Sequence, residues 1–122
     1  MTKKDIAIIG GAFDPIHKGH TEIARFLSEN YIVDEIWMLP SYNPPFKDIN
    51  KVVDFNHRIN MTSHAVSDIK RVIVSSFEEE YYYKALQNNR INNETNSDIK
   101  TYTYDVLEKL KLKISNTRIH II

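Results

Sequence analysis

Ile6-Ala7-Ile8-Ile9 contains no polar side chain and stops on Gly10-Gly11. A strand with one wet face alternates apolar and polar residues. An unbroken run of branched apolar residues therefore predicts a strand buried on both faces, as in a parallel sheet. Parallel strands need helical crossovers, and the rest of the chain supplies them in turn. From His17 to about Asn30, Ile23, Ala24, Leu27 and Tyr31 fall on one helical face, leaving Lys18, Glu22, Arg25 and Glu29 for water. Ile36-Trp37-Met38-Leu39 predicts a second strand, stopped by Pro40 and followed by a proline-rich loop through Pro44 and Pro45.

Residues 55 to 68 predict a second helix, with Ile59, Thr62, Val66 and Ile69 on one side, and Arg71 to Val74 a third strand. Glu78 to Gln87 predicts a short helix carrying Tyr81, Tyr82 and Tyr83. Asn88 to Ser97 is polar and asparagine-rich, with little to bury, and predicts a loop. Thr103, Val106, Leu107 and Leu110 mark a further helix, and Arg118 to Ile122 a last strand. Strand and helix alternating at these lengths predict a doubly wound α/β fold. The expected sheet is parallel, in the order 3-2-1-4, with the first strand central. At 122 residues the whole chain, 1–122, is expected to be one domain, with enough length to bury a core.

Composition excludes more than it assigns. Sixteen basic and sixteen acidic side chains cancel, which argues against a nucleic-acid binder, since those usually carry a basic excess. With no cysteine, disulfides and thiolate metal sites are excluded. An apolar run of four residues near the N-terminus fits neither a signal peptide nor a membrane span. A soluble, cytoplasmic protein without a membrane partner is the expectation.

All three glycines, Gly10, Gly11 and Gly19, lie within one ten-residue window. That window joins the first strand to the first helix, the end of an open α/β sheet where ligands bind. The helix start offers unpaired N–H groups and a partial positive charge, both suited to phosphate. Gly10 and Gly11 are expected to let the main chain turn tightly and approach an anion. His17 and His20, three apart, share one face of the first turn and could donate to nucleotide phosphates; Gly19 keeps bulk away. Two histidines fall short of a zinc site, so no protein-held metal is expected. The spacing fits neither a Walker A loop nor the dinucleotide fingerprint.

The run Gly10-Gly11-Ala12-Phe13-Asp14-Pro15-Ile16-His17-Lys18-Gly19-His20 resembles the nucleotidylyltransferase signature G-G-x-F-D-P-x-H-x-G-H at every fixed position. Further segments are similar to nicotinate or nicotinamide mononucleotide adenylyltransferases. Asp34 to Pro40 resembles their second strand, and Asn43-Pro44-Pro45-Phe46-Lys47 their Pro-Pro-His-Lys loop, with Phe46 in place of His. His57-Arg58 resembles the start of their next helix, and Thr101 to Leu107 their Ser-Tyr-Thr-x-Asp-Thr-Leu segment. The resemblance implies a Rossmann-like fold and adenylyl transfer from ATP to a pyridine mononucleotide in NAD biosynthesis. It implies that His17 and His20 are catalytic phosphate contacts, and that Gly10, Gly11, Ala12, Phe13 and Gly19 join them in binding ATP. Lys47 and Arg58 would serve the mononucleotide phosphate, Tyr102 and Thr103 the pyridine, and Mg²⁺ would arrive bound to ATP. The nucleophile is the substrate's own phosphate oxygen, so no cysteine or serine is required.

The family continues past the strand matched by Arg118 to Ile122, first with Gly-x-Asp and later with Ile-Ser-x-Thr-x-x-Arg. The first is missing, and Ile114-Ser115-Asn116-Thr117-Arg118-Ile119-His120 echoes the second with His120 in the arginine position. One alignment makes residues 118–122 the fourth strand of a C-terminally truncated chain. The other makes residues 114–120 the triphosphate motif after an internal deletion. The strand alignment suits the spacing better. On either, residues 1–122 alone are expected to bind phosphate but transfer adenylyl groups slowly, and an exposed last strand invites self-association into a homo-oligomer. The rival readings are another transferase of the superfamily, acting with CTP on an alcohol phosphate, and a catalytically impaired nucleotide-binding fragment.

Overall fold

A computed structural model describes residues 3–42, 53–91 and 103–122. The elements run β1 (Lys4–Gly11), α1 (Lys18–Glu29), β2 (Glu35–Pro40), α2 (Phe55–Ala65), β3 (Val72–Val74), α3 (Phe77–Ile91), α4 (Thr103–Lys113) and β4 (Thr117–Ile121). The sheet has the expected order β3-β2-β1-β4, and every pairing is parallel. Ala7 lies between Ile36 of β2 and His120 of β4, which places β1 inside the sheet.

Alternation along β1 explains its composition. Ala7 and Ile9 pack on one side with Ala24 and Leu27 of α1 and with Val66 and Ile69. Ile6 and Ile8 pack on the other with Phe77 of α3 and Val106 and Leu110 of α4. Helices cover both faces, so no position from Ile6 to Ile9 can be polar without stranding a polar group in apolar surroundings. β2 follows the same rule, with Ile36 and Met38 facing the first core and Leu39 the second.

Several boundaries depart from the sequence reading. Tyr31, expected on the inner face of α1, lies beyond the helix at φ 52° and is 81% exposed. The helix ends at Glu29, with Asn30 at its C-cap, so the helical spacing stops applying. Arg71, just outside β3 and also left-handed at φ 65°, sets its guanidinium 4.7 Å from the centre of the Tyr31 ring. The same guanidinium donates to the carbonyls of Ser28 and Val33, fastening the end of α1 to the start of β3. α2 stops at Ala65 instead of residue 68, because Ser67 N and Oγ both bond the His64 carbonyl and turn the chain. Val66 and Ile69 are still buried.

Asn88 to Ile91, expected in a loop, are the last turn of α3. Glu78, Glu79 and Glu80 in its first turn complement the helix dipole, and Glu80 pairs with Lys84 one turn on. Once nucleated, a helix gains one bond per added residue and runs on through polar sequence. The remainder of that expected loop, residues 92–97, lies outside the described residues. Residues 117–121 pair with β1, as the strand alignment requires.

The Thr62 hydroxyl is fully buried in α2 and meets no hydrogen-bond partner among the described residues. Thr62→Val removes that group at nearly constant shape and should stabilise the fold by about 1 kcal/mol. Urea unfolding would show a higher midpoint at unchanged slope; a lower midpoint would mean that the hydroxyl is satisfied.

Candidate functional site

β1 delivers its chain to the site through Gly11, whose carbonyl accepts from Ser41 N at 2.9 Å. The chain then reverses, but not on a glycine. No glycine has a positive φ, and the left-handed residue is Phe13, at φ 50°. The expectation that Gly10 and Gly11 supply the tight turn is therefore corrected. A left-handed conformation is uncommon for a bulky residue and costs on the order of 1–2 kcal/mol. Burial of the Phe13 ring in the first core, 2% exposed, offsets that strain.

Gly11 has a steric reason instead. A Cβ there would come within 3.3 Å of the Phe13 ring. Around Gly10 the nearest atom stands 4.0 Å away, so that position leaves the main chain open to an approaching group. At Gly19 a Cβ would lie 3.1 Å from the His17 ring, so it is the imidazole that needs the space.

His17 is the N-cap of α1, just before the helix proper. Its Nδ1 accepts from Gly19 N at 3.2 Å, and His20 Nδ1 accepts from His17 N at 3.3 Å. The two imidazoles thus form a reciprocal cap, the role usually taken by a Ser or Thr with a Glu. Because each Nδ1 is an acceptor, each neutral ring carries its proton on Nε2. The ring centres are 3.9 Å apart, and the Phe13 ring meets His20 edge-on at 4.8 Å. Burial, and then the neighbouring His17, lower the His20 pKa below the ordinary histidine value. No carboxylate occupies the first turn of α1, so no acidic side chain there answers its partial positive charge.

Arg58 lies behind this loop. It is 1% exposed, and its guanidinium donates to the carbonyls of Ala12 (2.8 Å), Ser41 (2.6 Å), Tyr42 (3.4 Å) and Val53 (2.7 Å). Burial lowers its pKa, while Asp14, Asp54 and Glu78 favour the charged form. Asp14 also accepts from Val53 N at 3.3 Å.

A flank of the site was not visible in the sequence. Tyr42 packs its ring 4.6 Å from Tyr82 and 5.1 Å from Phe55, and its hydroxyl meets that of Tyr83 at 3.3 Å. Burial, and then the bond with Tyr83, push the Tyr42 phenol above its ordinary range. Glu78, 4% exposed, accepts from Tyr42 N at 3.2 Å. Gly10, Gly11, Ser41 and Glu78 line a cleft of about 260 Å³ floored by Ile8, Leu39 and Val106. The run of three glutamates and three tyrosines at residues 78–83 was the only signal for this wall.

The structure gathers Gly10, Gly11, Ala12, Phe13, His17, Gly19 and His20 at the carboxyl end of β1, with Arg58 behind them. Lys47 and Tyr102 lie outside the described residues, and Thr103 opens α4. Among the described residues no cluster of three His, Asp or Glu side chains could hold a metal ion, and no helix is long and apolar enough to cross a membrane.

A family model described as cytidylyltransferase-like matches residues 8–118. A probable nicotinate-nucleotide adenylyltransferase of Bacillus mycoides (strain KBAB4) is 31% identical over 119 residues, covering 98% of this chain and 54% of that protein. One from Clostridium tetani (strain Massachusetts / E88) is 37% identical over 95 residues, covering 74% of this chain and 46% of the relative. The chain thus spans about half the length of these relatives. Among solved structures, Plasmodium falciparum nicotinic acid mononucleotide adenylyltransferase complexed with NaAD superposes with a TM-score of 0.70 at 24% identity. That match covers 97% of this chain and 50% of the other, and it establishes likeness of fold.

The reciprocal cap makes stability depend on pH. The folded His20 pKa lies below the unfolded value of about 6.5, so the unfolded chain binds more protons near that pH, and stability falls as pH drops through the region. Protonation also turns each Nδ1 from acceptor to donor and breaks the cap. Lowering the pH from about 7.5 to about 5.5 should depress the thermal midpoint, and His20→Ala should flatten that dependence. Calorimetry at the two pH values checks both outcomes.

Proposed function

The chain belongs to the cytidylyltransferase-like family, and from that premise we propose that it transfers the adenylyl group of ATP to nicotinate mononucleotide. The observation that carries this reading is the reciprocal histidine cap. It occupies both Nδ1 atoms and leaves two Nε2–H donors at a helix start with no acidic side chain in its first turn. The choice of substrates follows the relatives, named as nicotinate-nucleotide adenylyltransferases along nearly the whole of this chain.

In the reaction, a 5′-phosphate oxygen of the mononucleotide attacks the α-phosphorus of ATP. The new P–O bond forms as the bond to the α–β bridging oxygen breaks, and pyrophosphate leaves with the electron pair. Such a step needs little covalent help from a protein; it needs two anions held in line and the developing charge offset. His17 and His20 would donate from Nε2 to the ATP phosphates, and Gly10, Gly11, Ala12 and Phe13 would bring the main chain close. Gly19 keeps the space in which the His17 ring sits. Lys47, Tyr102 and Thr103 would serve the mononucleotide. Mg²⁺ would arrive on the ATP phosphates and share their charge.

Pyrophosphate release by the purified protein tests the reading. Nicotinate mononucleotide with ATP should support it, and a preference for CTP with an alcohol phosphate would overturn it. His20→Ala removes a transition-state donor and should lower turnover about a hundred-fold. Its lost cap bond should cost only about 1 kcal/mol of stability. An unfolded His20→Ala protein would mean instead that the residue is structural.

A further inference from the structure

Sequence resemblance places Arg58 on the mononucleotide phosphate, but its geometry serves a different task. A buried guanidinium with five N–H donors is satisfied only by several acceptors, and here four backbone carbonyls provide them. They come from three separate stretches of chain: Ala12 after β1, Ser41 and Tyr42 after β2, and Val53 before α2. Glu78 holds the N–H of Tyr42 while Arg58 takes that residue's carbonyl. The contact with Ala12 bears most directly on the anion site. In a planar trans peptide the carbonyl and the following N–H point in opposite directions. Holding the Ala12 oxygen therefore turns the Phe13 N–H away from Arg58, and among the described residues that N–H meets no acceptor.

We propose that Arg58 is a positioning residue: it fixes the Ala12–Phe13 peptide so that the Phe13 N–H faces a bound phosphate, and it does not touch that phosphate itself. The inference rests on the phosphate-binding part of the function proposed above.

The test uses ¹⁵N NMR of the protein titrated with inorganic tripolyphosphate, which reads binding without requiring turnover. The Phe13 amide should shift on addition. The Arg58 Nε–H should keep its resonance and its slow exchange with solvent, because it remains on the Val53 carbonyl. Arg58→Lys keeps the charge but cannot hold four carbonyls, so tripolyphosphate affinity should fall about ten-fold, the loss of one charge-assisted contact. A phosphate-dependent shift of the Arg58 Nε–H would overturn the proposal, as would an unmoved Phe13 amide or unchanged affinity in Arg58→Lys. If that variant fails to fold, the two resonances of the unsubstituted protein decide alone. Absence of dinucleotide synthesis would count against the adenylyltransferase reading and leave these binding results standing.

Discussion

A strand covered by helices on both faces has no side chain to spare for chemistry, and β1 is such a strand. Ile6 and Ile8 belong to one core and Ala7 and Ile9 to the other, so each side chain from Ile6 to Ile9 is committed to packing. Burying an aliphatic side chain of this size contributes roughly 1.5–3 kcal/mol. Reactive groups can therefore appear only where the strand leaves the sheet. The parallel arrangement gathers the carboxyl ends of β1 and β2 and the start of α1 in one place, and the site lies there.

What happens at that exit is governed by the Phe13 ring. It is drawn into the core beneath α1, which holds its own backbone left-handed, denies Gly11 a side chain, and supports the edge of the His20 ring. His20 in turn caps the helix together with His17, and the space for the His17 ring exists because residue 19 has no Cβ. The spacing of aromatic residue, two histidines and glycine is thus a packing solution as well as a set of donors.

Much of this was legible in the sequence. The unbroken apolar runs at Ile6–Ile9 and Ile36–Leu39 determine which strands are interior, and the glycine window marks the exit. What sequence patterns missed are features decided by tertiary contacts. An arginine near a helix start normally reads as a surface charge, and nothing local reveals that four carbonyls converge on Arg58. The left-handed residue would be sought among the glycines, yet core burial assigns it to Phe13. Tyr31 sat at helical spacing, but the helix ended before reaching it. The aromatic wall of Tyr42, Phe55 and Tyr82 joins three segments far apart in the chain, so the tyrosine run at residues 81–83 could not show which rings it meets.

Charge is sorted across the same loop. Asp14, Asp54 and Glu78 act on the buried Arg58 cation, while the first turn of α1 carries no acid. A buried guanidinium left alone would be costly, and three carboxylates gathered without a nearby cation would repel one another. Arg58 answers both at once: its charge sits among the three acids, and its N–H groups are taken up by the carbonyls of Ala12, Ser41, Tyr42 and Val53. In the adenylyl transfer proposed above, the ATP phosphates would meet backbone N–H groups and imidazole donors at the mouth of the site. On the role proposed for Arg58, such a site depends on the orientation of its peptides more than on its net charge, and the bond from Arg58 to the Ala12 carbonyl sets that orientation from the buried side of the loop.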